Sequence, residues 1–133
     1  SSGIVFFTVH ENRGSSSEKE NEIDHYSIRN KLYNFKWEGS LTISDLGILD
    51  AGSSLKDTYA ALKEITFEIQ KRSKLLVLLG GSQDLTFPNY LGYEQLEQPI
   101  NLTCIDHSFD VVVDQEQEIS DKNYINHLLL HSL

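Results

Sequence analysis

Asp106, Ser108 and Asp110 fall at alternate positions at the end of an apolar run, Asn101-Leu-Thr-Cys-Ile-Asp-His-Ser-Phe-Asp110. In an extended chain alternate residues share a face, so two carboxylates and a hydroxyl project together while His107 points the other way. A second polar cluster, Gly80-Gly-Ser-Gln-Asp84, ends the run Leu75-Leu-Val-Leu-Leu79. Oxygen donors of this kind suit a hard divalent cation, and Asp106, Asp110 and Asp84 would serve magnesium or calcium. A manganese centre mixes carboxylates with imidazoles, and neither cluster puts an imidazole in register. His107 is read as a hydrogen-bonded neighbour of the site. Asp106-His107-Ser108 is not read as a catalytic triad, because consecutive strand residues point apart.

Two further patterns carry less. His127 and His131 have the i, i+4 spacing that can hold zinc on a helix, but Leu128 stands where a metalloprotease helix has its glutamate. They are read as an exposed, unliganded pair. Gly80-Gly81 follows a strand as a phosphate loop would, yet it has neither the Gly-x-x-x-x-Gly-Lys nor the Gly-x-Gly-x-x-Gly pattern. The simpler account is a sharp turn.

The elements that must position these groups follow from periodicity. Ile4-Val-Phe-Phe-Thr-Val9 is β-branched and aromatic and predicts a strand. A polar loop covers Glu11 to Asp24. His25 to Phe35 carries apolar residues at Ile28, Leu32 and Phe35, a helical spacing. Leu41 to Leu49 predicts a strand, and Asp50-Ala-Gly-Ser-Ser54 supplies cap chemistry for a helix running to about Lys71. That helix turns Leu55, Tyr59, Leu62, Thr66 and Ile69 to one side. Leu75 to Leu79 is continuously apolar, as for a parallel strand covered on both faces. Ser82 or Asp84 would cap a helix beginning near Pro88, Ile100 to Ile105 predicts another strand, and Asp121 to Leu133 a closing helix. Strands alternating with helices imply an α/β domain with a mainly parallel sheet, whose carboxyl edge carries the chemistry.

Composition narrows the partners. A formal charge of −9 excludes the basic surface that nucleic acid or an anionic membrane would need. No apolar run is long enough for a membrane span. A single cysteine, Cys104, permits no intrachain disulfide; within an apolar strand it reads as a buried structural thiol in a reducing, cytoplasmic setting. Trp37 reads as a core or interface aromatic. The chain has no methionine, so residues 1–133, read as a single domain, are either a chain trimmed at its start or a piece of a longer protein.

Several landmarks in order resemble the ureohydrolases: arginase, agmatinase and formiminoglutamase. Ser27-Ile-Arg-Asn-Lys-Leu-Tyr33 looks like that family's "IR..LY" helix, and Ile43-Ser-Asp-Leu-Gly47 like its "I.DLG" strand. Gly80-Gly-Ser-Gln-Asp84 stands where the family has Gly-Gly-Asp-His-Ser, and Asp106-His-Ser-Phe-Asp110 where it has Asp-Ala-His-x-Asp.

The resemblance implies the first portion of a three-layer α/β/α sheet with a binuclear manganese centre at its strand ends. There two ions activate a shared water for hydrolysis of a linear amidine, a guanidino or formimino C–N bond, with formiminoglutamate as a candidate substrate. Residue by residue, Asp106 and Asp110 match metal-binding aspartates, while Gln83 and Ser108 occupy histidine positions. Both replacements are weak neutral donors, and no later Asp-x-Asp motif is present. The resemblance thus implies either a manganese-dependent hydrolase of a small amidine, able to form homo-oligomers, or an inactive binding or assembly module without manganese.

Overall fold

The computed structural model describes residues 3–16, 24–36, 38–106, 108–112 and 118–131. Three strands form one parallel sheet in the order β2-β1-β3: β1 (Gly3–His10), β2 (Thr42–Asp50) and β3 (Leu75–Leu79). Helix α1 (His25–Asn34) links β1 to β2, and α2 (Leu55–Gln70) links β2 to β3. After β3 come a 3-10 turn at Gln83–Leu85, α3 (Thr86–Glu94) and α4 (Tyr124–His131).

Side chains alternate across the sheet. On one face Phe7 and Val9 of β1 form the core with Leu62 of α2 and Leu85, joined by Leu49, Tyr59, Ile65, Leu76 and Leu78. Ser54 begins α2 with a capping box, its hydroxyl accepting from the Asp57 amide while Asp57 accepts from the Ser54 amide. This satisfies two amides the helix would otherwise leave without partners. Helix α3 is tied to α2 by Thr66 to Asn89 and Gln70 to Tyr93 hydrogen bonds of 3.0 and 2.9 Å.

The other face carries Ile4, Phe6 and Thr8 of β1, level with Ile43, Asp45 and Ile48 of β2 and with Leu75, Val77 and Leu79 of β3. Helix α1 covers only part of it, and does so with polar groups. Ile28 and Leu32 are half-buried and Phe35 is exposed, whereas His25 and Arg29 are buried. Arg29 lies over the Phe6 ring and pairs with Asp45. A guanidinium bound to the sheet, more than the apolar stripe, holds this helix. The ladder between β1 and β2 shifts after Phe6, leaving Leu46 and Gly47 opposite Phe7. Gly47 has φ +87° there, a backbone state that a glycine adopts without a Cβ clash.

Five expectations are corrected. Residues 100–105 form no strand and no ladder with β3. Without a paired edge an apolar run has no hydrogen-bonded partner to fix it as a strand. β3 is not covered on both faces: Leu75 is 61% exposed and Val77 41%. Cys104 is exposed, because the strand meant to bury it does not form. The third helix begins at Thr86, two residues before Pro88; within the first helical turn Pro88 forfeits no intrahelical bond. The closing helix is shorter than expected, with Tyr124 and Leu128 buried and Leu129 and Leu130 exposed. Trp37 and His107 lie outside the described residues.

Candidate functional site

The carboxyl ends of the strands converge on a set of buried polar groups. Just past β1, Glu11 is 1% exposed. Its carboxylate accepts from Arg13 Nε at 2.9 Å, Arg13 Nη2 at 2.5 Å and Thr58 Oγ1 at 2.7 Å. Arg13 reaches on to the carbonyls of Gly52 and Ser53, and the Gly52 amide donates to Thr58 Oγ1. This latch joins the β1 loop to the loop that starts α2. Burial alone would raise the Glu11 pKa, but the bonds from Arg13 and Thr58 outweigh it and hold the carboxyl at about 2.

Beyond β3 the Gly80-Gly81 turn passes against the same loop. A Cβ on Gly81 would lie 1.9 Å from the Glu11 carbonyl oxygen, and the Ser82 amide donates to that oxygen at 3.4 Å. Close approach of two backbones, more than turning, fixes this glycine. Asp84 is fully buried and accepts a hydrogen bond from the Tyr59 hydroxyl. Its other oxygen, Oδ1, is buried with no hydrogen-bond partner among the described residues. Burial pushes the Asp84 pKa up against the opposing pull of its hydrogen bonds. Asp84 therefore serves the core and caps no helix.

Gln83 stands exposed at the start of the 3-10 turn. It borders a cleft of about 280 Å³ with Ser82, Thr86 and Asn89, which neither Asp106, Ser108 nor Asp110 lines. Asp110 is 8% exposed. The Ser108 hydroxyl donates to its Oδ1 at 3.0 Å, while Oδ2 is buried without a hydrogen-bond partner among the described residues. Burial first, then Cys104, Asp110 and Asp106, push the Tyr124 pKa up. The two aspartates thus share the surroundings of one buried phenol of α4. Among the described residues no three His, Cys, Asp or Glu side chains are grouped to hold a metal ion.

His127 and His131 do not act as a pair. His131 Nε2 lies 2.8 Å from Glu94 Oε2, and both rings meet the edge or face of Phe87. His127 is half-buried and lines a separate cleft of about 480 Å³ with Ser54, Tyr59 and Glu118.

The fold has close counterparts of known structure. A manganese-bound formiminoglutamase variant from Trypanosoma cruzi superposes with a TM-score of 0.85 at 16% identity, over 97% of this chain and 48% of that one. The formimidoylglutamase of Bacillus subtilis gives 0.83 at 16% identity, over 98% and 44%. Arginase from Medicago truncatula gives 0.78 at 16%, over 98% and 47%. The fold is arginase-like. The chain spans a little under half the length of these three structures. No family model and no curated protein matches the sequence.

In this arginase-like frame the donor set does not fit a binuclear manganese centre. Gln83 and Ser108 offer neutral oxygens, weaker donors to manganese than carboxylate or imidazole. Ser108 also engages one oxygen of Asp110. What the sequence did not reveal is the Glu11–Arg13–Thr58 latch. Its one signal is a charged Glu11-Asn-Arg13 directly after an apolar strand.

Proposed function

We propose that this chain is a ureohydrolase-type module that has lost the manganese-dependent reaction and works by binding or assembly. The observation carrying this reading is the Ser108 hydroxyl bonded to Asp110 Oδ1 at 3.0 Å. A neutral donor to a carboxylate stands where a metal-bound imidazole would be needed. A binuclear centre must bring several charged or imidazole donors to each ion before it can activate water. With Gln83 exposed beside a different cleft, that assembly has no basis in these residues, and no hydrolytic step is derived through it.

A second reading keeps a hydrolase of small linear amidines, of the formiminoglutamate type, with Asp106 and Asp110 as cation ligands. Asp110 Oδ2, buried without a hydrogen-bond partner among the described residues, favours it, because a buried carboxylate oxygen is costly unless something positive meets it. A reducing cytoplasm suits either reading, since the one cysteine is free and exposed.

Manganese titration by calorimetry, with urea or formamide release from arginine, agmatine and formiminoglutamate, separates the two. The expected result is neither stoichiometric manganese nor turnover, in the parent chain and in a Gln83→His/Ser108→His double variant alike. Stoichiometric manganese with turnover abolished in Asp106→Ala and Asp110→Ala would establish the hydrolase instead.

A further inference from the structure

We propose that the cleft between the start of α2 and α4 is a binding site for a small organic cation, a primary ammonium carried on an apolar body. The inference stands whether or not Asp106 and Asp110 hold a metal ion, because neither lines this cleft.

Its size and walls carry the first part. The cleft holds about 480 Å³, within the range of small-molecule sites. Leu55 and Tyr59 of α2 and Ile119 give it apolar walls, His127 of α4 borders it, and Lys56 and Glu118 bring charge to it. A phenol ring in such a wall attracts an ammonium over its face.

Charge and unmet hydrogen bonding carry the second. The Glu118 carboxylate enters no ion pair among the described residues. Burial first, then Asp84, Glu11 and Glu118, push the Tyr59 pKa up, so three carboxylates act on the one phenol in the wall. His127 Nε2 is buried with no hydrogen-bond partner among the described residues. With its proton on Nδ1 this imidazole accepts at Nε2, and an ammonium carries three donors, enough to serve it and Glu118 at once.

An anion fits less well. Lys56 lies at the positive end of α2, but Asp57 in the same turn already meets that end, its carboxyl held below the usual range by bonds from Ser54. Lys56 itself is exposed, and its flexible stem lets the charge swing into water.

Three probes test the inference: isoamylamine, isovalerate and leucine, which share a branched apolar body and differ in charge. Each is titrated into the complete protein by calorimetry, and NMR shifts of the His127 ring locate the contact. Isoamylamine is expected to bind and to move the His127 resonances. Its affinity should fall by about tenfold or more in Glu118→Gln, the loss of one charge-assisted hydrogen bond. Lys56→Gln should leave that affinity unchanged or raise it, and Ile119→Trp, which fills the cleft, should abolish binding. Isovalerate binding that is lost in Lys56→Gln overturns the proposal in favour of an anion site. Leucine binding more tightly than isoamylamine overturns it in favour of a zwitterion. Failure of all three to bind at millimolar concentration, or isoamylamine binding that neither moves His127 nor responds to Glu118→Gln, overturns it outright.

Discussion

Arg29 of α1 and Asp45 of β2 meet in a two-point ion pair, Nε to Oδ2 at 2.9 Å and Nη2 to Oδ1 at 3.1 Å. Around it the Tyr33 hydroxyl donates to Asp45, Arg29 donates to Thr8 Oγ1 and to the Gly47 carbonyl, and the Gly47 amide donates to Asp45 Oδ1. Two of the four motifs that gave the sequence its family resemblance, one on a helix and one on a strand, are thus two halves of a single network. Their co-occurrence has a physical cause: each without the other leaves a buried charge.

Breaking that pair should cost more than an ordinary surface pair would. Both side chains are largely buried, and removing one partner from a buried pair typically costs about 3 kcal/mol or more. Asp45→Asn and Arg29→Met are each expected to lower the urea midpoint by a corresponding amount, and the double variant by less than the sum of the two. Additive losses would mean that the pair contributes nothing specific.

Stability should fall steeply in acid. The Glu11 carboxyl sits at about 2 in the folded chain against an ordinary 4.5. Its pKa is depressed, so its contribution is fully present above 4.5 and is lost as pH falls through about 2. Asp45 is shifted in the same direction: burial opposes the shift, and the Arg29 and Tyr33 hydrogen bonds prevail. Chemical denaturation at a series of pH values should show this loss, with a shallower profile in Glu11→Gln. An unchanged profile in that variant would remove Glu11 as a source of the acid sensitivity.

How far the sequence reached depends on where each element finds its partners. The strands at Gly3–His10, Thr42–Asp50 and Leu75–Leu79, and the helix Leu55–Gln70 with its Ser54 cap, follow from local periodicity and cap chemistry. These signals lie within a few residues of one another, and the structure carries them through. The run at 100–105 has the same local signal as β3 but no partner edge, and strand formation is decided by pairing, which local sequence does not encode. Helix α1 was legible from its apolar spacing but its anchor was not: the carboxylate that draws Arg29 inward is 16 residues away. At the candidate site the sequence offers Asp106 and Asp110 as cation ligands, and in the structure both help raise the Tyr124 pKa, after burial and Cys104. Gln83 lines a cleft that they do not, a placement that local sequence does not encode because it depends on how loops pack.

Asp84 makes an opposite prediction to Glu11. Burial raises its pKa, so its ionised form weighs against folding, and stability attributable to it rises as pH falls through the folded pKa. Asp84→Asn keeps an acceptor for the Tyr59 hydroxyl and removes the charge. Its thermal stability at neutral pH is expected to match or exceed that of the parent. Asp84→Ala strands the Tyr59 hydroxyl in the core and should lose about 1–3 kcal/mol. If Asn is as damaging as Ala, the ionised carboxylate is required, and the buried group would have to meet a cation.

Gly81 tests whether the β1 and β3 loops are locked together at the sheet edge. Any side chain there places its Cβ 1.9 Å from the Glu11 carbonyl oxygen and 2.1 Å from Asn12 Oδ1. Asn12 can swing away, but the Glu11 carbonyl is backbone and is tied to the Arg13 latch through its own residue. Relief therefore requires one loop to retreat, which overpacking studies put at about 1–3 kcal/mol. Gly81→Ala is expected to lose that much stability and to quicken amide exchange at Ser82, whose N–H donates to the same carbonyl. Gly80→Ala is the control, because its nearest neighbour is the flexible end of Leu85 at 3.0 Å, and it should cost less. Equal losses at the two glycines would show that turning after β3, not the approach of the β1 loop, sets the requirement.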